Sequence, residues 1–238
     1  MNYLTAIFAD DTAILAVSNT IEESMQKLQM GIDKICAWTT LWKIKLNNAK
    51  STHVNFTNNQ IQQHNVFIDN IAIPHSNSAK YLGMTLDVKL KWDEHVKKKL
   101  QEINLKWSKM YWLTGRKSVL SIHNKLLLYN MVIKPIWSYG IQLWACSNQH
   151  NIKIIQTFQN KVLRTIVNAP WYCRNADLHR DLGIPYVSEV IQKYAIAHAT
   201  RLSQHVNNEV SGLATLENHT RRLRRLIPSD LVKVIRHS

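Results

Sequence analysis

Two adjacent aspartates, Asp10 and Asp11, stand near the start of the chain between two apolar, β-prone runs, Tyr3–Phe8 and Thr12–Val17. Runs of this composition predict two strands, and the short polar break predicts a tight hairpin with both carboxylates at its tip. Mg²⁺ takes oxygen ligands from one or two carboxylates together with substrate phosphates. In phosphoryl-transfer enzymes two such ions, roughly 3.5–4 Å apart, hold the attacking and leaving oxygens. Adjacent aspartates are also common in ordinary solvated turns, because Asp hydrogen-bonds its own backbone there and tolerates unusual dihedral angles.

The charge balance favours a polyanionic partner. Among 238 residues, 30 Lys and Arg against 16 Asp and Glu give a formal net charge of +14 at pH 7. Nucleic acid fits this balance better than a membrane, because no apolar run approaches the roughly 20 residues of a membrane-spanning helix. Basic charge can also serve solubility alone.

The cysteines Cys36, Cys146 and Cys173 are widely spaced and lack a Cys-x-x-Cys pattern. This usage fits a reducing intracellular compartment, nucleus or cytoplasm, and argues against a disulfide scaffold. Cys146 with His150, and Cys173 with His179, each offer half of a zinc site without the four-ligand spacing that such sites need. We predict no structural metal.

Around the aspartates, the first third of the chain predicts mixed structure. Thr20 and Glu23 fit a capping box in which each side chain accepts a helix N–H, and helical spacing of apolar residues predicts a helix from about Ile21 to Trp42. Alternation predicts further strands at Ser51–Phe56, Val66–Ile68 and Ile71–Ile73. Asn58–Gln60 is turn-like, and Asp69-Asn70 predicts a hairpin turn.

The remainder predicts helices. Asp93 is a candidate cap for a helix with an apolar stripe from Val96 to Tyr111, broken by Gly115–Ser118. A second helix is predicted from Ile122 to Tyr139, with Pro135 marking a kink or an end, and a third from about Val187 to Gln204. For Trp137, Trp144 and Trp171 we prefer core packing to stacking on bases, because each lies in an apolar context.

Three motifs in order resemble the reverse transcriptases of non-LTR retrotransposons. Phe8-Ala9-Asp10-Asp11 resembles the [Phe/Tyr]-x-Asp-Asp box, and Leu46-Asn-Asn-Ala-Lys50-Ser51 resembles a Leu-Asn-x-x-Lys-[Ser/Thr] segment. Tyr81-Leu82-Gly83-Met-Thr-Leu-Asp87 resembles the Tyr-Leu-Gly-x-x-Leu-Asp primer grip. Further along, three segments resemble jockey-type elements in particular: Pro135–Trp144, Phe158–Tyr172 and Leu178–Leu182.

The resemblance implies an α+β fold in three parts. Residues 1–90 correspond to the later part of a palm, with an antiparallel sheet and a covering helix. Residues 91–148 correspond to a helical thumb, and residues 149–238 to a helical C-terminal region. Full family members carry an endonuclease, fingers and a first palm strand with a third metal-binding aspartate upstream, so we expect the isolated chain to be weakly active or inactive. We also expect partial unfolding at the unpaired edge of the palm sheet.

The resemblance assigns roles to individual residues. Asp10 and Asp11 would hold Mg²⁺ or Mn²⁺, and Lys50 would neutralise charge on the leaving pyrophosphate, although a solvated turn lysine is an equally good interpretation. Tyr81, Leu82 and Gly83 would form the primer grip, with Gly83 allowing close approach of the primer backbone unless it marks a β-bulge.

The partners implied are an RNA template, a DNA primer, their RNA–DNA hybrid and dNTP. Contacts to the hybrid are predicted for basic residues of the thumb, unless these simply form a solvated helix face: Lys97, Lys98, Lys99, Lys106, Lys109, Arg116 and Lys117. The cluster Arg221–Arg225 is a candidate for RNA contact or nuclear import.

The predicted function is RNA-directed DNA synthesis by a two-metal mechanism. The alternative is a non-catalytic nucleic-acid-binding remnant of such an enzyme. A hydrolase built on Asp10 and Asp11 ranks last, because no catalytic base or further acidic cluster lies near them in the sequence.

Overall fold

A computed structural model describes residues 3–57, 65–212 and 226–233, which form two compact units divided between Leu90 and Lys91. Helices and small antiparallel sheets are both present, which is compatible with the predicted α+β class. The predictions for Asn58–Gln60 and Arg221–Arg225 lie outside the described residues.

Short hairpins supply all the strands described in the first unit. The strands are β1 (Tyr3–Phe8), β2 (Asp11–Ala16), β3 (Val66–Ile68), β4 (Ile71–Ile73), β5 (Ser78–Tyr81) and β6 (Met84–Asp87). Each consecutive pair forms its own two-stranded antiparallel sheet within the described ranges. The predicted hairpins at Asp10-Asp11 and Asp69-Asn70 are confirmed, whereas the described strands do not join into one sheet.

Helix α1 (Ile21–Leu41) lies where the apolar spacing predicts it. The Thr20 hydroxyl accepts a hydrogen bond from the Glu23 backbone N–H at 3.3 Å, which confirms the N-cap. The reciprocal half of the capping box is wrong, because the Glu23 carboxylate instead accepts a hydrogen bond from the Ser18 hydroxyl at 2.6 Å.

The core of the first unit lies between α1 and the β3–β4 hairpin. Ile32 of α1 is buried with Val66, Ile68 and Ile73. The amide of Gln29 extends this contact, because it accepts a hydrogen bond from the Phe67 N–H and donates one to the Phe67 carbonyl, each at 2.9 Å. One side chain of the helix thus supplies hydrogen-bond partners for both the N–H and the carbonyl of Phe67 in the neighbouring strand.

Gly31 allows α1 to approach the β1–β2 hairpin closely. A Cβ placed at this glycine would lie 3.1 Å from Cγ2 of Ile14 and 3.2 Å from Cδ2 of Tyr3. The hairpin that carries the two aspartates is therefore positioned by a backbone surface of α1, not by interlocking side chains at this point.

The predicted strand Ser51–Phe56 is wrong. Its only ladder contact among the described residues is an isolated parallel bridge between His53 and His75, in which the His53 N–H donates to the Pro74 carbonyl at 3.2 Å. The Ser76 N–H completes this bridge by donating to the His53 carbonyl at 3.0 Å. Pro74 has no N–H to donate toward Ser51, so the ladder cannot extend in that direction. Alternating polarity alone did not reveal this break.

All the regular elements described in the second unit are helices. Its helices are α2 (Asp93–Lys109), α3 (Tyr111–Thr114), α4 (Ile122–Leu128), α5 (Lys134–Ser138), α6 (Ile141–Trp144), α7 (Gln149–Ile166), α8 (Asn175–Leu182), α9 (Val187–Ser203), α10 (Asn208–Gly212) and α11 (Asp230–Lys233). The predicted helix from Val187 is confirmed. None of the described helices is both long and apolar enough to cross a membrane.

Asp93 does not cap α2. The cap position belongs to Trp92, in a left-handed conformation with φ of 67° and no side-chain cap bond, while the Asp93 carboxylate accepts a hydrogen bond from the Asn151 amide at 2.8 Å. Asp93 thus ties α2 to α7 instead of closing its own helix end.

The helix predicted from Ile122 to Tyr139 is interrupted by a π-helical segment, Tyr129–Ile133, which joins α4 to α5. Pro135 follows this segment in the first turn of α5. Because proline cannot donate to the carbonyl four residues earlier, a widened turn before it accommodates the missing bond. The predicted helix end at Pro135 is wrong, because α5 continues through it to Ser138, and the break in the regular α-helix lies in the π segment just before it.

The tryptophans divide into two groups. Trp137 and Trp144 are fully buried, and the Trp144 indole donates to the Trp137 carbonyl at 3.1 Å, which confirms core packing for both. Trp171 is 90% exposed, so core packing is wrong for it. Its apolar sequence neighbours lie in a loop after α7 and do not cover it.

Candidate catalytic and nucleic-acid-binding residues

The Asp-Asp pair lies at the closed end of the β1–β2 hairpin. Phe8 pairs with Asp11, so Ala9 and Asp10 form a two-residue turn and Asp11 begins β2. The positive φ that the turn requires, 49°, falls on Ala9 and not on either aspartate. An L-residue with a Cβ is disfavoured there, so this turn stores backbone strain beside the carboxylates.

Asp10 and Asp11 are both exposed, and neither side chain has a hydrogen bond or ion pair with a described residue. The flanking strands do not bury the two carboxylates, because only one side of the hairpin contacts α1, and Leu4, Ile7 and Phe8 of β1 are themselves exposed.

The donor set of the hairpin suits a hard cation. Two adjacent carboxylates with free oxygens are adequate protein ligands for Mg²⁺ or Mn²⁺ when phosphates and water complete the shell. Within residues 3–57, 65–212 and 226–233, no cluster of three or more His, Cys, Asp or Glu side chains is placed to hold a metal.

Lys50 ends the turn that follows α1. Its backbone N–H donates to the Asn47 side-chain oxygen and to the Asn47 carbonyl, each at 3.1 Å, and its side chain is exposed. No hydrogen bond or ion pair in the described part of the chain joins Lys50 to Asp10 or Asp11. The structure fixes the backbone of this lysine and leaves its ammonium free to meet an anion.

Tyr81, Leu82 and Gly83 form the end of the β5–β6 hairpin. Leu82 and Gly83 both have positive φ, 46° and 74°, between the paired residues Tyr81 and Met84. This is the geometry of a tight hairpin turn, so the alternative of a β-bulge at Gly83 is wrong. The Tyr81 hydroxyl lies 3.5 Å from the Ala6 carbonyl, which brings this hairpin beside β1.

The basic residues predicted to bind nucleic acid differ in how far their charge is already compensated. Lys98 Nζ lies 2.6 Å from a Glu94 carboxylate oxygen, and Lys99 Nζ lies 3.0 Å from one of Glu102. The others are exposed and form no ion pair with any described residue: Lys97, Lys106, Lys109, Arg116 and Lys117.

Two of the uncompensated lysines share a groove. Lys106 and Lys109 of α2 line an open groove of about 460 Å³ together with Leu105 and with Glu102, whose carboxylate pairs with Lys99. The other side of the groove comes from the π segment and α5, with Met131, Val132 and Ile136. At 100° per residue, Lys97 lies about half a turn around α2 from Lys106. Lys97 therefore belongs to a different surface from the groove lysines.

Arg116 and Lys117 lie in a loop fixed by a buried lysine that sequence reasoning missed. Lys125 of α4 is 4% exposed, and its ammonium donates to the carbonyls of Gly115 and Ser118 at 3.0 Å and 3.3 Å. Gly115 is confined as well, because a Cβ there would lie 2.5 Å from the Tyr111 carbonyl oxygen. Lys125 looks like any solvated helix lysine in the sequence, and only the break at Gly115 hinted at a constrained loop.

No protein-family model matches the chain, and no solved structure matches it significantly. The chain is 36% identical over 229 residues to the probable RNA-directed DNA polymerase from transposon X-element of Drosophila melanogaster, which covers 96% of this chain and 25% of that protein. It is 32% identical over 240 residues to the RNA-directed DNA polymerase from mobile element jockey of the same species, with 98% and 26% covered. For the jockey polymerase of Drosophila funebris the identity is 31% over 237 residues, with 96% and 26% covered.

The chain spans about a quarter of the length of the curated relatives it matches. The similarity extends over nearly all of the chain. The family resemblance inferred from the motifs is confirmed: this chain is related to the RNA-directed DNA polymerases of non-LTR retrotransposons, jockey among them.

Proposed function

We propose that this chain contributes the metal-binding hairpin and a nucleic-acid-binding helical unit of an RNA-directed DNA polymerase. The observation that carries the proposal is the pair Asp10 and Asp11, held at a strained hairpin turn in a chain whose relatives bear that activity in their names. In this proposal the first unit is the later part of a palm and the helices from α2 onward begin a thumb.

The reaction is nucleotidyl transfer. The primer 3′-hydroxyl attacks the α-phosphate of a dNTP, a new phosphodiester bond forms, the bond to the β-phosphate oxygen breaks, and pyrophosphate leaves. Asp10 and Asp11 would hold Mg²⁺ or Mn²⁺, which when bound supplies neutralisation of phosphate charge. The free Lys50 ammonium would meet the triphosphate as a point cation, and the β5–β6 turn would support the primer.

We expect the isolated chain to be slow. A two-metal site works when its ligands are fixed within a fraction of an ångström, and the hairpin offers two solvent-exposed carboxylates with no hydrogen bond from a described residue to orient them.

The metal site is tested directly by titrating the chain with Mn²⁺ and following paramagnetic broadening of backbone amide signals. We expect selective broadening around residues 8–12, abolished in Asp10→Asn/Asp11→Asn. Asp69→Asn is the matched control, since Asp69 is an exposed carboxylate in another two-residue hairpin turn. Equal broadening at the Asp69 turn and at the Asp10 turn would contradict a specific site.

A second candidate function is non-catalytic binding of RNA–DNA hybrid. The observation that favours it is the set of exposed cations without ion pairs among the described residues, two of which face one groove. Hybrid binding that is unchanged by Asp10→Asn/Asp11→Asn, with no DNA synthesis under any condition, would support this alternative over the polymerase.

A further inference from the structure

The loop between α7 and α8 presents two aromatic rings to solvent. Trp171 is 90% exposed and Tyr172 is 71% exposed, and their rings meet edge to face with centroids 5.9 Å apart. Neighbouring aromatic side chains so fully exposed are costly to keep in water, because the hydrophobic effect favours covering them. Nothing in the proposed nucleotidyl transfer uses them.

One guanidinium holds this loop through three hydrogen bonds. Arg164 of α7 donates to the Asn175 side-chain oxygen at 3.0 Å, to the Pro170 carbonyl at 3.2 Å and to the Cys173 carbonyl. The Ala169 N–H donates back to the Arg164 carbonyl at 2.9 Å. Arg164 is therefore a positioning residue that holds both ends of the segment carrying the two rings.

Two exposed cations lie close to the loop along the chain, one directly after it and one before it on α7. Arg174 follows the loop directly, is exposed, and has no ion pair with a described residue. Lys161 lies one helical turn before Arg164, on the same side of α7, and is likewise exposed and unpaired within the described chain. By contrast, the Arg180 guanidinium on α8 is 3.0 Å from Asp177 and 3.1 Å from Asp181, so its charge is already balanced.

We propose that the Trp171–Tyr172 loop is a stacking platform for single-stranded nucleic acid, with Arg174 and Lys161 contacting the phosphates. The inference goes beyond the proposed function, because it needs neither the Asp10–Asp11 hairpin nor duplex binding. Exposed rings with adjacent free cations match a strand that offers π faces and negative charge together. A protein partner for an aromatic patch would leave these unpaired cations unexplained.

The test measures anisotropy of a fluorescein-labelled oligouridine RNA and of a labelled RNA–DNA hybrid, titrated separately with the whole chain. We expect Trp171→Ala/Tyr172→Ala to weaken binding of the single strand by about tenfold to a hundredfold, while hybrid affinity changes by less than about threefold. The matched control is Trp112→Ala, because Trp112 is 76% exposed in a different part of the second unit and should leave both affinities unchanged.

Four further variants separate base stacking from apolar contact and from the contribution of charge. Trp171→Phe keeps a π face and should retain most of the affinity for the single strand, whereas Trp171→Leu keeps apolar area without a π face and should lose it. Arg174→Gln should lower the slope of log affinity against log salt by about 0.7, the value expected for one phosphate contact on a single strand. Arg164→Lys should weaken binding without changing that slope, because it loosens the loop and preserves charge.

The proposal is overturned by either of two results. Single-strand affinity that is the same in Trp171→Ala/Tyr172→Ala as in the wild type would show that the rings do not bind bases. Equal retention in Trp171→Phe and Trp171→Leu would show an apolar protein-binding patch instead. If the wild type does not bind the RNA–DNA hybrid, that result counts against the proposed function. A loss of single-strand affinity in Trp171→Ala/Tyr172→Ala would still support the platform.

Discussion

At the scale of single residues, the backbone strain of the Asp-Asp turn lies at Ala9 and not at either aspartate. Ala9 carries the positive φ of 49°, a conformation that costs an L-residue roughly 1–2 kcal/mol. The sequence identifies Asp10 and Asp11 as candidate metal ligands, and neither of them adopts a positive φ, although aspartate tolerates it. Turn propensity shows which residue types tolerate a positive φ, but it does not assign them to positions in a turn. The register of β1 and β2 places Ala9 at the position that requires the positive φ.

Ala9→Gly should therefore stabilise the chain, by up to about 1 kcal/mol, because glycine relieves the turn and part of the gain is offset by extra freedom in the unfolded state. Ala13→Gly, in the middle of β2 opposite Ala6, should destabilise it by about 0.5–1 kcal/mol. Urea unfolding of both variants checks the opposite signs, and a decrease of stability in both would contradict a strained turn.

His95 gives a second prediction at this scale. It is buried in α2, and burial, followed by repulsion from Lys99 and Lys98, lowers its pKa to about 4. The unfolded chain binds the proton near pH 6.5, so the native state loses stability as the pH falls from about 6.5 to about 4. In the variant His95→Gln this part of the decrease should be absent. Thermal unfolding across that range tests it, and parallel curves for the wild type and the variant would contradict it.

At the scale of elements, the position of the hairpin depends on how closely α1 approaches it. Sequence periodicity located α1 to within one residue, since its apolar spacing and Thr20 cap are local signals. The hairpins at Asp10-Asp11 and Asp69-Asn70 were also predictable, since their turn residues are local as well. The prediction failed at Ser51–Phe56, because a strand needs a partner along its length, and this segment has only the single bridge to His75, next to Pro74, which lacks an N–H.

Gly31→Leu should separate α1 from the hairpin, because even a Cβ there would lie 3.1 Å from Ile14 and a larger side chain must displace it. We expect a decrease of about 1–3 kcal/mol in the free energy of unfolding, with the largest rise in hydrogen exchange at β1 and β2. Gln26→Leu adds the same side chain at an exposed position of α1 and is the matched control. Equal exchange in the two variants would mean that Gly31 does not position the hairpin.

At the scale of the whole molecule, the net charge of +14 is unevenly available for binding. Composition indicates a polyanionic partner, but it could not show which lysines already have a carboxylate beside them. Lys98 and Lys99 do, whereas Lys106 and Lys109 line a groove and have no ion pair with a described residue. Whether a lysine forms an ion pair depends on the helix face on which it lies and on whether a carboxylate is within reach of its side chain. The net charge contains neither piece of information.

Lys106→Gln/Lys109→Gln should therefore reduce the salt slope of RNA–DNA hybrid binding by about 2, since each phosphate that a lysine neutralises adds roughly 0.9 to the slope. Lys153→Gln/Lys193→Gln removes the same charge from exposed positions on α7 and α9 and should alter the slope by less than half as much. Anisotropy titrations at several salt concentrations measure both slopes. Identical slopes for the two double variants would assign hybrid binding to net charge alone.

The most direct test of the polymerase proposal is extension of a DNA primer on an RNA template by the purified chain with Mg²⁺. We predict slow, template-directed addition that Asp10→Asn/Asp11→Asn abolishes and that Asp69→Asn leaves unchanged. Extension at the same rate by all three proteins would contradict the assignment of Asp10 and Asp11 as the metal-binding carboxylates.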